Sequence, residues 1–163
     1  MERAKRKASE SKSVLARVMM PQDANNLGNV FGGTILNLVD EIAYVAATRH
    51  CHSPVVTASI DRMSFLSPVR IGDLVTLNAV VNAAWRSSME VGVRVLAEDV
   101  NTGEVRHTGS SYVTVVAVDR SGKPVIVPEL IVETEDEKRR SQEASQRREA
   151  RLKELMKNER PRE

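Results

Sequence analysis

The sequence predicts an α+β protein in which a curved antiparallel β-sheet wraps around one central α-helix. Three observations favour this class: one long apolar helical segment, four β-rich segments after it, and short reversals between those segments. One helix cannot cover both faces of a sheet, and four strands in succession cannot form a doubly wound parallel fold. A curved antiparallel sheet with the helix in its concavity satisfies both constraints.

The first predicted elements are a strand, a turn-rich loop and the helix. Residues 13–20 are rich in apolar side chains and end at Pro21, which favours a strand. The run PQDANNLGNVFGG is dense in turn-forming residues and predicts a loop. Residues 34–50 predict a helix about 26 Å long. Its apolar stripe comprises Ile35, Leu38, Val39, Ile42 and Ala46.

Four strands are predicted to complete the body, at residues 55–65, 73–85, 88–99 and 105–118. In the third, apolar and polar residues alternate from Met89 to Val95, as a half-buried strand requires. Short turn sequences separate the later segments, so consecutive strands are expected to run antiparallel.

Charged segments flank this body. We divide the chain into a basic N-terminal extension (1–10), the folded domain (11–128) and a charged helical tail (129–163). The tail has good helix formers and no proline before Pro161. It predicts a solvated helix or frayed tail outside the core. The alternative is a helix that binds a partner through Leu152, Leu155 and Met156.

Composition excludes several function classes. The formal net charge is +2, but residues 13–132 carry a net charge of −2, so a nucleic-acid partner is not expected. Five aromatic residues in the chain also argue against base stacking. No apolar run reaches the roughly 18 residues of a membrane span, and the N-terminus MERAKRKASESK lacks a signal-like apolar run. We therefore expect a cytoplasmic protein that does not bind membranes.

The cysteine and histidine residues do not suggest a site. One cysteine, Cys51, excludes an intramolecular disulfide, and with three histidines it makes a structural zinc site unexpected. We expect His50, His52 and His107 at surface or loop positions and Cys51 to be structural. The chain has no G-x-S-x-G elbow and no Ser-His-Asp order, so a serine hydrolase is not indicated.

One acid lies on an apolar helix. The second side of the helix carries Leu36, Ala43, Tyr44 and Ala47, which predicts burial against a second subunit. Asp40 projects on that side. A carboxylate there is partly desolvated, which is costly unless it is paired or used. Asp40 therefore either accepts a structural hydrogen bond or acts in catalysis.

Two glycines, Gly32 and Gly33, precede the predicted helix. They allow close approach of the backbone and leave N–H groups without partners. The positive end of the helix dipole would favour a developing oxyanion there. A simple tight turn is the alternative.

Together, the runs PQDANNLGNVFGGTILNLVDEIAYVAATRH and FLSPVRIGD resemble the hotdog-fold acyl-CoA thioesterases of the ACOT and YciA type. The resemblance covers about residues 11–128. It implies the hotdog fold and hydrolysis of a fatty acyl-CoA to free CoA and a carboxylic acid, without a metal or other cofactor. It also implies a site at the interface of a homodimer, and a hexamer that is built from three such dimers.

The resemblance assigns roles to three positions. Asp40 matches the carboxylate that drives the attack of water. Asn25 matches the asparagine that completes the site from the facing subunit, and Gly33 matches the glycine whose N–H polarises the thioester carbonyl. Phe31 stands where many relatives have histidine, so any auxiliary role of that histidine is absent here.

CoA carries phosphates, so basic and hydroxyl side chains are expected near the mouth of the pocket. The candidates are Arg62, Arg70 and the turn Arg86-Ser87-Ser88, and Gly32 is a further substrate-binding position. A solvated turn is the alternative for the Arg86 segment.

Two rival functions share this fold: a non-catalytic acyl-CoA-binding module or regulator, and an acyl-CoA dehydratase. A pure binder has no need of both Asn25 and Asp40. A dehydratase would ordinarily carry a histidine, and Phe31 occupies the obvious position for it. The sequence therefore favours the hydrolase, although many activities share one scaffold.

Overall fold

The computed structural model describes residues 3–158 and shows within them seven strands, two α-helices and two short 3₁₀ helices, Ala8–Ser11 and Pro21–Asp23. In chain order the strands and α-helices are β1 Lys5–Lys7, β2 Ser13–Val18, α1 Gly32–Cys51, β3 Val55–Ile60, β4 Leu74–Ala84, β5 Ser88–Asp99, β6 Glu104–Ala117, β7 Glu129–Ile131 and α2 Glu135–Asn158.

Five strands form the main sheet in the order β2-β4-β5-β6-β3, with each neighbouring pair antiparallel. Register shifts interrupt three of the four strand pairs, and such bulges bend a sheet. The sheet curls around α1. The predicted α+β class and the hotdog arrangement are confirmed.

The core lies between α1 and the concave face of the sheet. All five residues of the predicted helical stripe are at most 2% exposed. They pack with the inward-facing residues of the central strands, among them Val75, Leu77, Val91 and Val113. Full burial of one such large apolar side chain contributes about 1.5–3 kcal/mol, so this contact fixes the rotation of α1.

The predicted elements match those observed, with one clear exception. The helix begins at Gly32, two residues earlier than predicted, and three strand predictions agree to within one residue at each end. The strand predicted at 55–65 ends at Ile60. The residues after it enter the connection to β4, where Ser64 lies against Gly109 and Phe65 lies against Gly32.

The N-terminal segment packs on the body and is not a free extension. β1 pairs in parallel with β7, and Ala8 and Ser11 are buried. Arg3 donates from Nε to the Val127 carbonyl at 2.5 Å. The sequence did not predict this pairing because a three-residue strand of basic side chains shows no hydrophobic alternation.

The charged tail forms the predicted helix, α2, outside the core, but the helix packs on the outer face of the main sheet, opposite α1, so the expectation that it is solvated or frayed is wrong. Ala144 is fully buried, and the Arg147 guanidinium lies 3.5 Å from the centre of the Tyr112 ring. The expected contact stripe of Leu152, Leu155 and Met156 is exposed. The helix docks through arginines, which in a sequence are typical of a solvated face.

No helix within residues 3–158 combines the length and hydropathy needed to cross a bilayer.

His50, expected at the surface or in a loop, is instead fully buried near the end of α1. Its Nε2 lies 3.0 Å from the Pro128 carbonyl oxygen, which joins α1 to the segment before β7. Burial lowers the pKa of His50, and the hydrogen bond to Pro128 acts in the opposite direction. His52 and His107 are exposed, as expected.

Neutral His50 should make the free energy of unfolding depend on pH. The pKa of His50 is lower in the folded protein than the unfolded value of about 6.5. The stabilisation that neutral His50 gives to the folded state is therefore complete above about pH 6.5. This stabilisation is lost as the pH falls through the folded-state pKa. Its size is about 1.4 kcal/mol for each unit by which the folded-state pKa lies below the unfolded-state pKa. His50→Gln, which can still donate to Pro128, should lose this component. Urea unfolding between pH 7.5 and 5 measures it; parallel losses in wild type and variant would contradict the prediction.

Candidate functional site

The carboxylate of Asp40 lies in the middle of α1, on the side turned away from the core. Asp40 is half-buried, and its Oδ1 accepts a hydrogen bond of 2.6 Å from Thr57 Oγ1 on β3. Around it, Tyr44 is half exposed, while Ala43 and Ala47 are already buried within the chain. The second apolar side of the helix is therefore only partly available to another subunit.

Thr57 is the residue that sequence reasoning missed. It lies on an edge strand, 17 positions after Asp40, and its own side chain is exposed. A threonine in a strand is ordinary, so only the placement of β3 beside α1 identifies it. The hydroxyl donates to one carboxylate oxygen and leaves the other free to take a proton from a water molecule.

Asn25 lies in the loop that leads to α1 and organises that loop. Its Oδ1 accepts hydrogen bonds from the backbone N–H groups of Leu27, at 2.9 Å, and Asn29, at 3.3 Å. The loop turns at Gly28, whose φ is +79°. These contacts use the carbonyl side of the amide, so the Nδ2 group of this exposed side chain can donate outward.

Gly32 and Gly33 form the first turn of α1. Neither has a positive φ, so turn geometry does not require glycine at either position. A Cβ on Gly32 would lie 3.1 Å from the Phe65 ring, whereas a Cβ on Gly33 would meet no atom within 4 Å. The space around Gly33 is open, and N–H groups in the first turn of a helix have no intrahelical acceptor.

Gly33 and Asp40 do not meet at one point within a single chain. Seven residues separate them, which places them on the same side of α1 but about 10 Å apart along its axis. A reacting carbonyl must lie about 3 Å from both its nucleophile and its oxyanion donors. Each chain therefore presents two separate parts of a site: the carboxylate with Thr57, and the helix start with the Asn25 loop.

The predicted CoA contacts are scattered. Arg70 is exposed and pairs through a bridge with Asn29, beside the Asn25 loop. Arg62 is exposed just after β3. The Arg86 turn lies at the other end of the sheet: the Ser87 carbonyl accepts a hydrogen bond from Ala117 N, and Ala117 pairs with Val55, which follows α1. Within one chain this turn is remote from Gly32 and Gly33.

The remaining candidates for chemistry are inert. Cys51 is free and buried, and burial raises the pKa of its thiol, which disfavours the reactive thiolate. Within the described residues, no group of three or more His, Cys, Asp or Glu side chains could hold a metal ion.

Comparison with known proteins gives a consistent result. Residues 27–104 match the thioesterase superfamily. The chain is 44% identical over 128 residues to the uncharacterized acyl-CoA thioester hydrolase YkhA of Bacillus subtilis. This alignment covers 78% of the chain and 74% of YkhA.

Two solved structures show the same architecture. An acyl-CoA hydrolase from Staphylococcus aureus, solved with butyryl-CoA, CoA and CoA disulfide, aligns with a TM-score of 0.87 at 39% identity over 94% of this chain and 93% of that one. That enzyme has also been solved with an aspartate, an asparagine or a threonine replaced by alanine. A hexameric acyl-CoA thioesterase aligns with a TM-score of 0.89 at 43% identity over 93% of this chain and 97% of that one.

Gly32→Ala and Gly33→Ala should differ in their effect on stability. The Cβ of Gly32→Ala would lie 3.1 Å from the half-exposed Phe65 ring, which must move by a few tenths of an ångström, so this variant should gain less stability than Gly33→Ala. The Cβ of Gly33→Ala enters open space, and alanine has the higher helix propensity, so its stability should equal or slightly exceed that of wild type. Thermal unfolding compares the stabilities of the two variants. A more stable Gly32→Ala would contradict the conclusion that Gly32 is close-packed and Gly33 lies in open space.

Proposed function

The chain belongs to the thioesterase superfamily, its similarity to acyl-CoA thioester hydrolases makes it an acyl-CoA thioester hydrolase, and we propose that Asp40 is its catalytic base in a site completed by a second copy of the chain. The observation that carries this proposal is the Thr57–Asp40 hydrogen bond of 2.6 Å, which orients a carboxylate in the middle of an apolar helix. The reaction converts an acyl-CoA and water into CoA and a carboxylic acid.

The spacing of three residues supports the assignment. In the S. aureus hydrolase, the substituted asparagine, aspartate and threonine are separated by 15 and then 17 positions. Asn25, Asp40 and Thr57 have the same two separations. Structural studies of that enzyme therefore targeted the residue types that this chain places at the Asn25 loop, the middle of α1 and β3.

In the proposed mechanism, the ionised Asp40 acts as a general base. Its free oxygen takes a proton from water as the water oxygen attacks the thioester carbonyl carbon. The tetrahedral intermediate collapses, the C–S bond breaks, and the CoA thiolate takes up that proton to leave as the thiol. The Thr57 hydroxyl keeps the carboxylate plane fixed throughout, so the free oxygen stays directed at the water.

Donors for the oxyanion come from a second copy in this proposal. Two copies whose α1 helices face each other and run antiparallel would bring the helix start of one opposite Asp40 of the other. The Gly33 N–H, at the positive end of the helix dipole, would then donate to the carbonyl oxygen as it gains charge. The outward Nδ2 group of Asn25 would donate to the same oxygen or to the attacking water.

Self-association also suits the exposed surfaces of the chain. β3 is the last strand of the main sheet and offers an open edge, while Tyr44 and Val45 on α1 are 50% and 39% exposed. An edge and an apolar patch of this kind are typical of an interface. We propose dimers that join their sheets at β3 and face their α1 helices, and three such dimers in a hexamer.

CoA binding then uses more than one chain. Arg70 is placed to contact a CoA phosphate near the Asn25 loop. Because Arg86, Ser87 and Ser88 lie at the other end of the sheet, they can serve only a site to which another copy contributes. Arg62, just after β3, is a further proposed CoA contact.

The reaction needs a base and N–H donors, so the proposal includes no metal or cofactor. The cytoplasmic location stays a prediction.

Replacement of the base should abolish most turnover. Asp40→Asn keeps the shape of the side chain and removes its basicity, so kcat should fall by about 10² to 10⁴, the usual contribution of a positioned base. Release of CoA thiol from acetyl- to palmitoyl-CoA measures this, and CoA binding should persist. Glu41→Gln is the matched control, since the exposed Glu41 side chain forms its one hydrogen bond in the described structure with Asn37. Near wild-type turnover in Asp40→Asn would make Asp40 structural.

Mixed oligomers test whether the site is shared. Asp40→Asn and Asn25→Ala subunits should each have low activity, but a dimer of one of each contains one site with both residues intact. Combining the two should therefore restore some of the wild-type kcat. Subunit exchange is verified by mass spectrometry of tagged chains. Mixed oligomers that exchange and remain inactive would show that each site lies within one chain.

The protein should be oligomeric at micromolar concentration, because a monomer would leave the β3 edge and the outer side of α1 exposed. Light scattering during size-exclusion chromatography measures the mass, and a hexamer is expected. An active monomer would contradict both the shared site and the proposed assembly.

A further inference from the structure

A buried carboxylate on the outer face of the main sheet anchors α2. Glu90 on β5 is fully buried. Arg147 donates from Nη2 to its Oε1 at 2.7 Å, and Arg151 donates from its own Nη2 to the other carboxylate oxygen, Oε2. Residues four apart lie on the same side of a helix, so one carboxylate receives both guanidinium groups. Because removing one partner from a buried ion pair is costly, these contacts hold α2 in one position on the sheet.

Arg151 also contacts one further strand and the residue that follows another. Its Nη1 donates to Thr114 Oγ1 on β6, and its Nε lies 3.3 Å from Oδ1 of Asp61. Asp61 directly follows β3, and its backbone N–H donates to the Tyr112 carbonyl at 2.9 Å. One side chain of α2 therefore joins β5, β6 and the end of β3.

Within one chain, β3, which carries Thr57, is held on one side only, by its pairing with β6; the proposed dimer would add a second β3 along its other side. Within the described structure it is an edge strand that pairs with β6, and the register of that pair shifts between Thr57 and Ser59. Of its six residues, only Val55 is buried. Short edge strands with little buried surface belong to the least stable parts of a fold. A shift of this strand would move the Thr57 hydroxyl away from Asp40.

We propose that Arg151 is a positioning residue for hydrolysis, because its contact with Asp61 holds β3 and so keeps Thr57 Oγ1 within hydrogen-bond distance of the Asp40 carboxylate. The proposal rests on the proposed function, since it concerns the orientation of the proposed base. It gives the C-terminal helix a part in turnover although α2 lies on the opposite face of the sheet from α1.

The first test compares Arg151→Gln with Arg139→Gln. Both remove one arginine charge from α2, but within the described structure the ion pairs of Arg139 are with Asp136 and Glu143 of the same helix. Arg151→Gln should lower kcat about tenfold with KM nearly unchanged, since displacement of a reacting group by 1 Å can cost about 100-fold. Arg139→Gln should stay within about twofold of wild type. Unchanged kcat in Arg151→Gln would overturn the proposal.

The second test separates positioning from a general loss of structure. Thr57→Val removes the hydroxyl that β3 presents to Asp40. If Arg151 acts through that hydroxyl, Arg151→Gln should lower kcat less than twofold in the Thr57→Val background, so that the two effects are strongly non-additive. The same tenfold loss in both backgrounds would show that Arg151 only stabilises the fold, and would overturn the proposal.

Two further measurements keep the outcome clear. If Arg151→Gln does not fold, Asp61→Asn weakens the same link and leaves Glu90 paired; it should show the same fall in kcat and the same non-additivity, and wild-type kcat in this variant would overturn the role. A wild-type protein that releases no CoA would overturn the proposed function and this role with it. An active wild type with unaffected Arg151→Gln and Asp61→Asn would overturn the role alone.

Discussion

Burial of the α1 stripe against the concave sheet sets the position of Asp40, the proposed catalytic base. Five side chains at most 2% exposed fix the rotation of the helix, because a turn of one residue would expose part of that stripe. The same rotation places Asp40 about 140° from the centre of the stripe, where β3 curls around the helix and Thr57 donates to the carboxylate. Packing energy thus holds a carboxylate that would be unfavourable on an apolar surface without a donor.

The length of the helix separates the proposed base from the proposed oxyanion donor. Gly33 lies at its start and Asp40 two turns later, about 10 Å along the axis. The Asp40 side chain cannot span this distance to the Gly33 N–H. A second copy of the chain is therefore the simple way to bring a base and an oxyanion donor to the same thioester carbonyl. In a two-fold assembly each surface patch meets its equivalent, which generates two identical sites from one interface. The hexameric relative is consistent with a chain that has surfaces for self-association.

The outer face of the sheet shows how charge can act as packing. Glu90 is fully buried because two arginines of α2 cover it, and Arg147 also stacks on Tyr112. A run of glutamate, lysine and arginine is typical of a solvated helix, and that pattern led to the wrong expectation for the tail. The charged helix docks because its arginines pair with a single glutamate, Glu90, which lies 57 residues before Arg147. Glu90 is in a strand that otherwise shows ordinary apolar and polar alternation.

Local periodicity and turn chemistry determined the helix, the three long strands β4, β5 and β6, and the α+β class, because these depend on residues near one another in the chain. An acid on an apolar helix and glycines before it were equally visible as candidates. Only the tertiary structure decided that Thr57 meets Asp40, that His50 is buried, that Arg151 reaches Asp61, and that the Arg86 turn lies away from Gly33. Those contacts depend on strand register, bulges and helix docking, which join residues far apart in the sequence and leave no local pattern.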